Sequence, residues 1–136
     1  EQVKEDASPP PKTETDKNNF KTLDTASLVQ LAEDTDISLL PQLIDTFINT
    51  AEQQIGVIIV GTAEADFQNV AAAAHSLKSS SATFGAFYLN ELVKTIEAAS
   101  KEKDAALLTD TVPLMDSEGS VVFRKLREYA EQICPE

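Results

Sequence analysis

The amino-acid sequence predicts an all-α protein, an antiparallel up-down four-helix bundle preceded by a short N-terminal lid helix. From Leu23 onward, apolar residues recur with the 3.6-residue period of an amphipathic helix. The chain is rich in Ala, Leu, Glu and Lys and has only four Gly and no Trp, which favours helices over a turn-rich β fold. Its 136 residues are enough for one compact domain with a core, and too few for two.

The first two helices precede residue 63. We expect a short first helix that begins at Asp24 or Thr25, and a longer second helix that begins near Asp36 or Ser38. Pro41 would lie in the first turn of the second helix, where a missing N–H costs little. The apolar face of the second helix is formed by Leu40, Leu43, Ile44, Phe47, Ile48, Ala51, Ile55 and Ile58.

The third helix is predicted from about Ala63 to about Thr83. Gly61 and Thr62 are expected to end the second helix and to cap the third. Gly85 is the natural stop, because glycine adopts the left-handed conformation that is common just after a helix. The apolar face of the third helix is formed by Phe67, Val70, Ala71, Ala74, Leu77, Ser81 and Phe84.

Two further helices complete the predicted bundle. The fourth runs from about Ala86 to Ser100, and the last segment spaces its apolar residues by alternating fours and threes, as in a heptad repeat. The apolar residues of this last segment are Leu108, Val112, Met115, Gly119, Val122, Leu126, Tyr129 and Ile133. Pro113 lies inside it and predicts either the true start of the helix or a kink.

Residues 1–19 are predicted to be a disordered linker or an appended remnant, and residues 20–136 the folded domain. The first 19 residues contain three consecutive prolines, scattered charge and almost no apolar side chains. Such a segment cannot bury enough surface to order itself. The chain begins with Glu1 rather than Met, which indicates a fragment of a longer protein or a processed one.

The net charge of −12 argues against several classes of partner. Five acidic and three basic residues in 1–19 account for −2, so the predicted domain carries −10. Nucleic acids and anionic membranes bind clustered Lys and Arg, and we expect neither as a partner. The longest apolar run, Val57–Val60, is far shorter than the ~20 residues of a membrane helix. The single cysteine, Cys134, excludes an internal disulfide and fits a reducing compartment.

The one histidine, His75, lies at the edge of the predicted core. Helical geometry places it roughly 120° from the middle of the apolar face of the third helix, toward water. Its neighbours one turn away are the small residues Ala71, Ala72 and Ser79, and the cation Lys78. A phosphoryl acceptor needs a neutral imidazole that a partner can reach and a cation that offsets phosphoryl charge. These residues alone leave open the alternative of an ordinary solvated helix surface.

The segment AHSLKSSSATFGA, residues 74–86, resembles the signature A-H-x-L-K-G-S-[SA]-x-x-x-G-A of histidine-containing phosphotransfer (HPt) domains. The similarity covers roughly residues 20–133 and includes the run LVKTIEAA, residues 92–99, after the signature. It implies that His75 accepts a phosphoryl group from a receiver-domain aspartate and passes it to another receiver aspartate in a two-component phosphorelay. It also suggests the C-terminal module of a hybrid sensor histidine kinase, located in the cytoplasm even if its parent kinase is membrane-bound.

The resemblance implies catalytic roles for His75, Lys78 and Glu97. The family is phosphorylated on the ring nitrogen farther from the backbone, and a Gln or Glu of the next helix holds the other nitrogen. Here that position is Glu97. His75 lies ten residues before Gly85 and Glu97 twelve after it, so both stand roughly 15–18 Å from the turn at ~1.5 Å per residue. An ordinary exposed glutamate remains the alternative.

Ser79, Ser80 and Gly85 are predicted to contribute to partner binding. Ser79 departs from the family pattern, which usually has Gly at that position. Glycine would give an incoming receiver the closest approach, whereas Ser79 adds a Cβ and a hydroxyl. We leave open the alternative that this hydroxyl donates to phosphate.

Other chemistries find little support in the sequence. One His and one Cys form no metal site, the serine run 79–81 lacks a base, and the chain has no nucleotide-binding loop motif. We therefore expect a monomeric phosphoryl carrier that is not an enzyme and has no cofactor of its own, with Mg²⁺ on the partner receiver. The alternatives are a non-phosphorylated helical adaptor and the phosphotransfer module of a chemotaxis-type kinase.

Overall fold

The computed structural model describes residues 20–133, which form five α-helices and one short 3-10 helix. The α-helices are α1 Thr25–Asp34, α2 Leu40–Ala63, α3 Phe67–Thr83, α4 Phe87–Lys101 and α5 Ala105–Ile133, and the 3-10 helix Ile37–Leu39 leads into α2. No strand occurs within this part of the chain, and the predicted all-α class is confirmed. The predicted linker, residues 1–19, lies outside the described residues, as does Cys134.

Helices α2 to α5 form the predicted four-helix bundle. Each packs against two neighbours, in the cyclic order α2, α3, α4, α5 and back to α2. All four helices contribute fully buried side chains to one core, among them Ile48, Leu77, Ile96 and Met115. Burying an apolar side chain of this size stabilises the fold by about 1.5–3 kcal/mol. The amphipathic stripes in the sequence therefore account for the architecture.

The three turns of the bundle share one geometry. Each connection is three residues long, and its middle residue is left-handed: Ala65 has φ 57°, Gly85 has φ 79° and Lys103 has φ 58°. In each turn a backbone N–H closes the end of the helix, as where Ala86 donates to the carbonyl of Ser81 at 2.9 Å. This is the Schellman arrangement of helix ends. Turns this short make consecutive helices antiparallel neighbours.

Of these three left-handed residues, only Gly85 lies where there is no room for a side chain. A Cβ there would lie 2.5 Å from the carbonyl oxygen of Asp24. The Asp24 N–H in turn donates to the Gly85 carbonyl at 2.8 Å, and the Tyr88 N–H donates to the carbonyl of Lys21 at 2.9 Å. These bonds hold the segment before α1 against the α3–α4 turn. Leu28, fully buried, then packs α1 onto the end of the bundle.

Helix α3 begins four residues later than the sequence predicted. Asp66, and not Thr62, is its cap, because the Asp66 carboxylate accepts the backbone N–H of Asn69 at 3.4 Å. Gly61 lies inside α2 and does not end it. A Cβ on Gly61 would lie 2.6 Å from Cγ2 of Val70, so this glycine permits α2 and α3 to approach closely.

Pro113 lies inside α5 and does not mark its start. Eight residues of the helix precede it, from Ala105, so of the two alternatives the one that starts the helix at this proline is wrong. The proline is exposed, and its missing N–H falls on the solvent side of the helix. The predicted seam is buried from Leu108 to Leu126, while Tyr129 is partly buried.

Candidate functional site

The imidazole of His75 stands uncovered on α3. Its side chain is 70% exposed, whereas the adjacent core residues Ala74 and Leu77 are fully buried. Four consecutive alanines, 71–74, favour the helix strongly and add no bulk beside the ring. A partner protein can therefore reach the outer edge of this imidazole.

A buried carboxylate from α4 lies behind the ring. The Glu97 side chain is only 7% exposed, and three donors converge on it. His75 Nδ1 lies 2.9 Å from Oε2, Lys78 Nζ lies 2.7 Å from Oε1, and Lys101 Nζ lies 3.2 Å from Oε2. The α3–α4 pair thus brings together the imidazole, one carboxylate and two ammonium groups.

The surroundings of Glu97 keep its carboxylate ionised. The hydrogen bond from Lys78 lowers the pKa of Glu97 most, burial acts in the opposite direction, and the bonds from His75 and Lys101 lower it further, to about 2. Buried charges are tolerated when they are paired and hydrogen-bonded in this way. Glu97 is therefore an acceptor of hydrogen bonds at neutral pH.

The ionised carboxylate determines which ring nitrogen of His75 carries the proton. A carboxylate without a proton can only accept a hydrogen bond, so Nδ1 must be the N–H that donates to Oε2 of Glu97. In the neutral ring the lone pair is then on Nε2, the nitrogen farther from the backbone. The protonated nitrogen is thus the one that faces the carboxylate, and the nitrogen with the lone pair is the other.

Two polar contacts fix the backbone of Lys78 one turn from His75. The backbone carbonyl of Lys78 accepts bonds from Asn90 Nδ2 at 2.7 Å and from Ser81 Oγ at 3.1 Å. The first of these bonds crosses from α4 to α3 and aligns the two helices one turn from His75. The Lys78 side chain is 35% exposed, so its ammonium group is open to solvent as well as to Glu97.

Ser79, Ser80 and Gly85 take different positions. Ser79 is exposed one turn from His75 on the same helix. Ser80 is half-buried, and its hydroxyl donates to the carbonyls of Ser76 at 3.4 Å and Leu77 at 3.3 Å within its own helix. Gly85 forms the turn, roughly 15 Å along the helix from the imidazole.

Lys101 joins the site without having been singled out from the sequence. It is the last residue of α4 and lies one turn after Glu97. The i,i+4 spacing from Glu97 is the signal that could have found it. That spacing is common on helix surfaces, and only the burial of Glu97 distinguishes this pair from an ordinary exposed one.

Residues 20–133 contain neither a cluster of metal-binding side chains nor a membrane-spanning helix. This part of the chain has no group of three or more His, Cys, Asp or Glu side chains arranged to hold a metal ion. Nor does it have a helix whose length and hydropathy would let it cross a membrane.

A helical bundle that presents an exposed imidazole backed by a buried acceptor is the arrangement that the resemblance of residues 74–86 predicts, that of a histidine phosphotransfer module. The model of the Hpt domain family matches residues 42–134. The fold resembles the crystal structure of histidine-containing phosphotransfer protein B (HptB) from Pseudomonas aeruginosa PAO1. The TM-score is 0.77 at 23% identity, over 82% of this chain and 96% of that one. A search of curated proteins found no match.

The chain therefore belongs to the Hpt domain family, and it serves as a phosphotransfer module in a two-component phosphorelay. Members of this family are carriers and not kinases, and their partners in the relay are receiver domains. The alternative of a non-phosphorylated adaptor is not favoured.

Proposed function

We propose that His75 is the residue that carries the phosphoryl group, on Nε2. The observation that supports this most directly is the 2.9 Å contact between His75 Nδ1 and the buried carboxylate of Glu97. It leaves the lone pair on the exposed nitrogen, where an incoming phosphorus atom can meet it. His75 is also the only histidine in the chain.

The proposed step is a displacement at phosphorus that needs no proton transfer. The lone pair of Nε2 forms the N–P bond while the bond from phosphorus to the receiver aspartate oxygen breaks, and the aspartate leaves as a carboxylate. The ring becomes an imidazolium that keeps its proton on Nδ1. Glu97 stabilises this positive charge through the bond it already accepts. The reverse displacement delivers the group to a second receiver aspartate.

Lys78 is proposed to offset the charge of the transferring group. The phosphoryl oxygens gather negative charge in the transition state, and a cation close to them lowers the barrier. The Lys78 ammonium group lies one turn from His75 and is 35% exposed, so it can turn from Glu97 toward the phosphoryl oxygens. The receiver would supply Mg²⁺ and the aspartate.

The remaining features of the proposal concern the setting of the domain. We place the transfer in the cytoplasm, which the single cysteine of the chain fits. The domain would act as a monomer without an ATP site of its own. It would obtain its phosphoryl group from a receiver domain, either of a response regulator or of a parent hybrid kinase, because the given sequence has no phosphate-binding loop motif.

Labelling with a phosphorylated receiver tests the proposal. Wild-type protein and His75→Gln are each incubated with the ³²P-labelled receiver, after circular dichroism has shown that both are folded. We expect a label on the wild type that is labile in acid and stable in base, and no label on His75→Gln. Equal labelling of both proteins would contradict the proposal. A label stable in acid would also contradict it, because that indicates a hydroxyl acceptor.

A further inference from the structure

The charges around Glu97 do not balance in the unphosphorylated protein. One carboxylate has two ammonium partners, Lys78 across the helix pair and Lys101 on its own helix. The phosphoryl group would bring about two negative charges to His75. The unphosphorylated site therefore already has one lysine more than the charge of Glu97 requires, before the phosphoryl group arrives. The two lysines are candidates for different tasks.

The geometry separates these tasks. Lys78 bonds Oε1 at 2.7 Å, and turning toward the phosphoryl group would leave that oxygen without its partner. Lys101 lies on the other oxygen, Oε2, which it shares with His75 Nδ1. Its side chain is 65% exposed and anchored at the C-terminal end of α4, where a cation is also favoured by the helix dipole.

We propose that Lys101 is a positioning residue, which compensates the buried charge of Glu97 so that Lys78 is free to turn toward the phosphoryl group on His75. This inference rests on the function proposed above. Without Lys101, release of Lys78 would leave the carboxylate with the His75 N–H as its remaining partner. A buried carboxylate that loses its cations is costly, so Lys78 would be retained by Glu97 and transfer would slow.

Lys94 provides a matched control on the same helix. It is an exposed lysine in α4, and its ammonium group pairs with Glu91 at 2.8 Å. Lys94→Ala removes a lysine and an ion pair of similar length without touching Glu97. An effect of Lys101→Ala that Lys94→Ala does not reproduce is therefore not caused by the loss of a surface charge on α4.

The experiment measures the rate of phosphoryl transfer from a labelled receiver to folded protein. We expect Lys101→Ala to be slower than wild type by roughly fivefold, as neighbouring charges in one network usually couple. Lys101→Arg, which keeps the cation, should restore most of the rate, and Lys94→Ala should match wild type.

The decisive comparison uses Glu97→Gln, which removes the buried charge and keeps the shape. In that background Lys101→Ala should cause no further loss, because there is no carboxylate to compensate. A wild-type rate for Lys101→Ala would overturn the inference, and so would an undiminished loss in the Glu97→Gln background, since Lys101 would then act on the phosphoryl group directly. Failure of the proposed function itself would be seen separately, as an absence of His75 label in the wild type.

Discussion

The groove between α3 and α4 and the groove between α2 and α5 lie on opposite sides of the same bundle. The first holds an imidazole and two ammonium groups around one buried carboxylate. The second has a mixed lining that includes Ile55, Ile59 and Phe123, and both of its charged residues, Glu52 and Asp116, are acidic. Helix packing formed both grooves, yet of the two only the first carries an imidazole and ammonium groups.

The difference shows that helix packing positions the side chains, whereas the identity of those side chains determines the chemistry of each groove. Gly119 in α5 illustrates the structural groove, since a Cβ there would lie 2.9 Å from Cδ1 of Ile55 in α2. Its role is to let two helices approach. Glu97 illustrates the functional groove, where a carboxylate is buried at the contact of two helices and then compensated. Substitutions in the two grooves should therefore affect different measurements.

The largest expected effect is on acid stability, through Glu97. Its pKa falls from 4.5 to about 2 on folding, so the carboxylate stabilises the folded state above pH 4.5. That contribution, on the order of 3 kcal/mol, is lost as the pH falls from 4.5 to about 2. Urea unfolding across this range should show wild type losing stability relative to Glu97→Gln. Parallel curves for the two proteins would contradict the proposed compensation.

Lys78→Ala should reduce transfer while the domain stays folded. The cation acts on charge that develops in the transition state, so we expect a loss of roughly 10- to 100-fold in the rate of His75 labelling. Asp116→Ala, in the opposite groove, is the control and should transfer at the wild-type rate. An unchanged rate for Lys78→Ala would remove this lysine from the site.

Gly119→Val should lower the stability of the domain and leave the transfer rate unchanged, the opposite of the pattern expected for Lys78→Ala. The added side chain would collide with Ile55, and overpacking of this kind costs about 1–3 kcal/mol of folding free energy. Thermal unfolding should therefore shift downward, while the transfer rate of the folded fraction stays that of wild type. A large loss of transfer in a folded Gly119→Val protein would mean that the two grooves are coupled.

Much of the fold follows from apolar spacing, and the exceptions have identifiable causes. The end of α3 was predictable because Gly85 occupies the left-handed position of its turn. The preceding turn uses Ala65 for the same conformation. Because that turn has no glycine, the sequence wrongly predicts the end of α2 at Gly61, a glycine that instead allows close helix packing. The position of Pro113 in the last helix was ambiguous because a proline is tolerated inside a helix only on some of its sides, and the sequence does not show which side of α5 faces solvent.

The site was predictable only in part. The resemblance assigned Glu97 as the partner of His75, and similar distances from Gly85 along two antiparallel helices agreed with that assignment. The structure places the two side chains in contact. The spacing could not show that Glu97 is buried, because burial depends on how α3 and α4 pack. Lys101 was missed for the same reason, since its importance follows from the burial of its partner.

The central claim is tested most directly by determining which ring nitrogen of His75 carries the proton and which carries the phosphoryl group. Long-range ¹H–¹⁵N NMR spectra of the free and phosphorylated protein distinguish these nitrogens. We predict that the neutral ring carries its proton on Nδ1 and that phosphorylation occurs on Nε2. A neutral ring protonated on Nε2, or a phosphoryl group on Nδ1, would contradict the account.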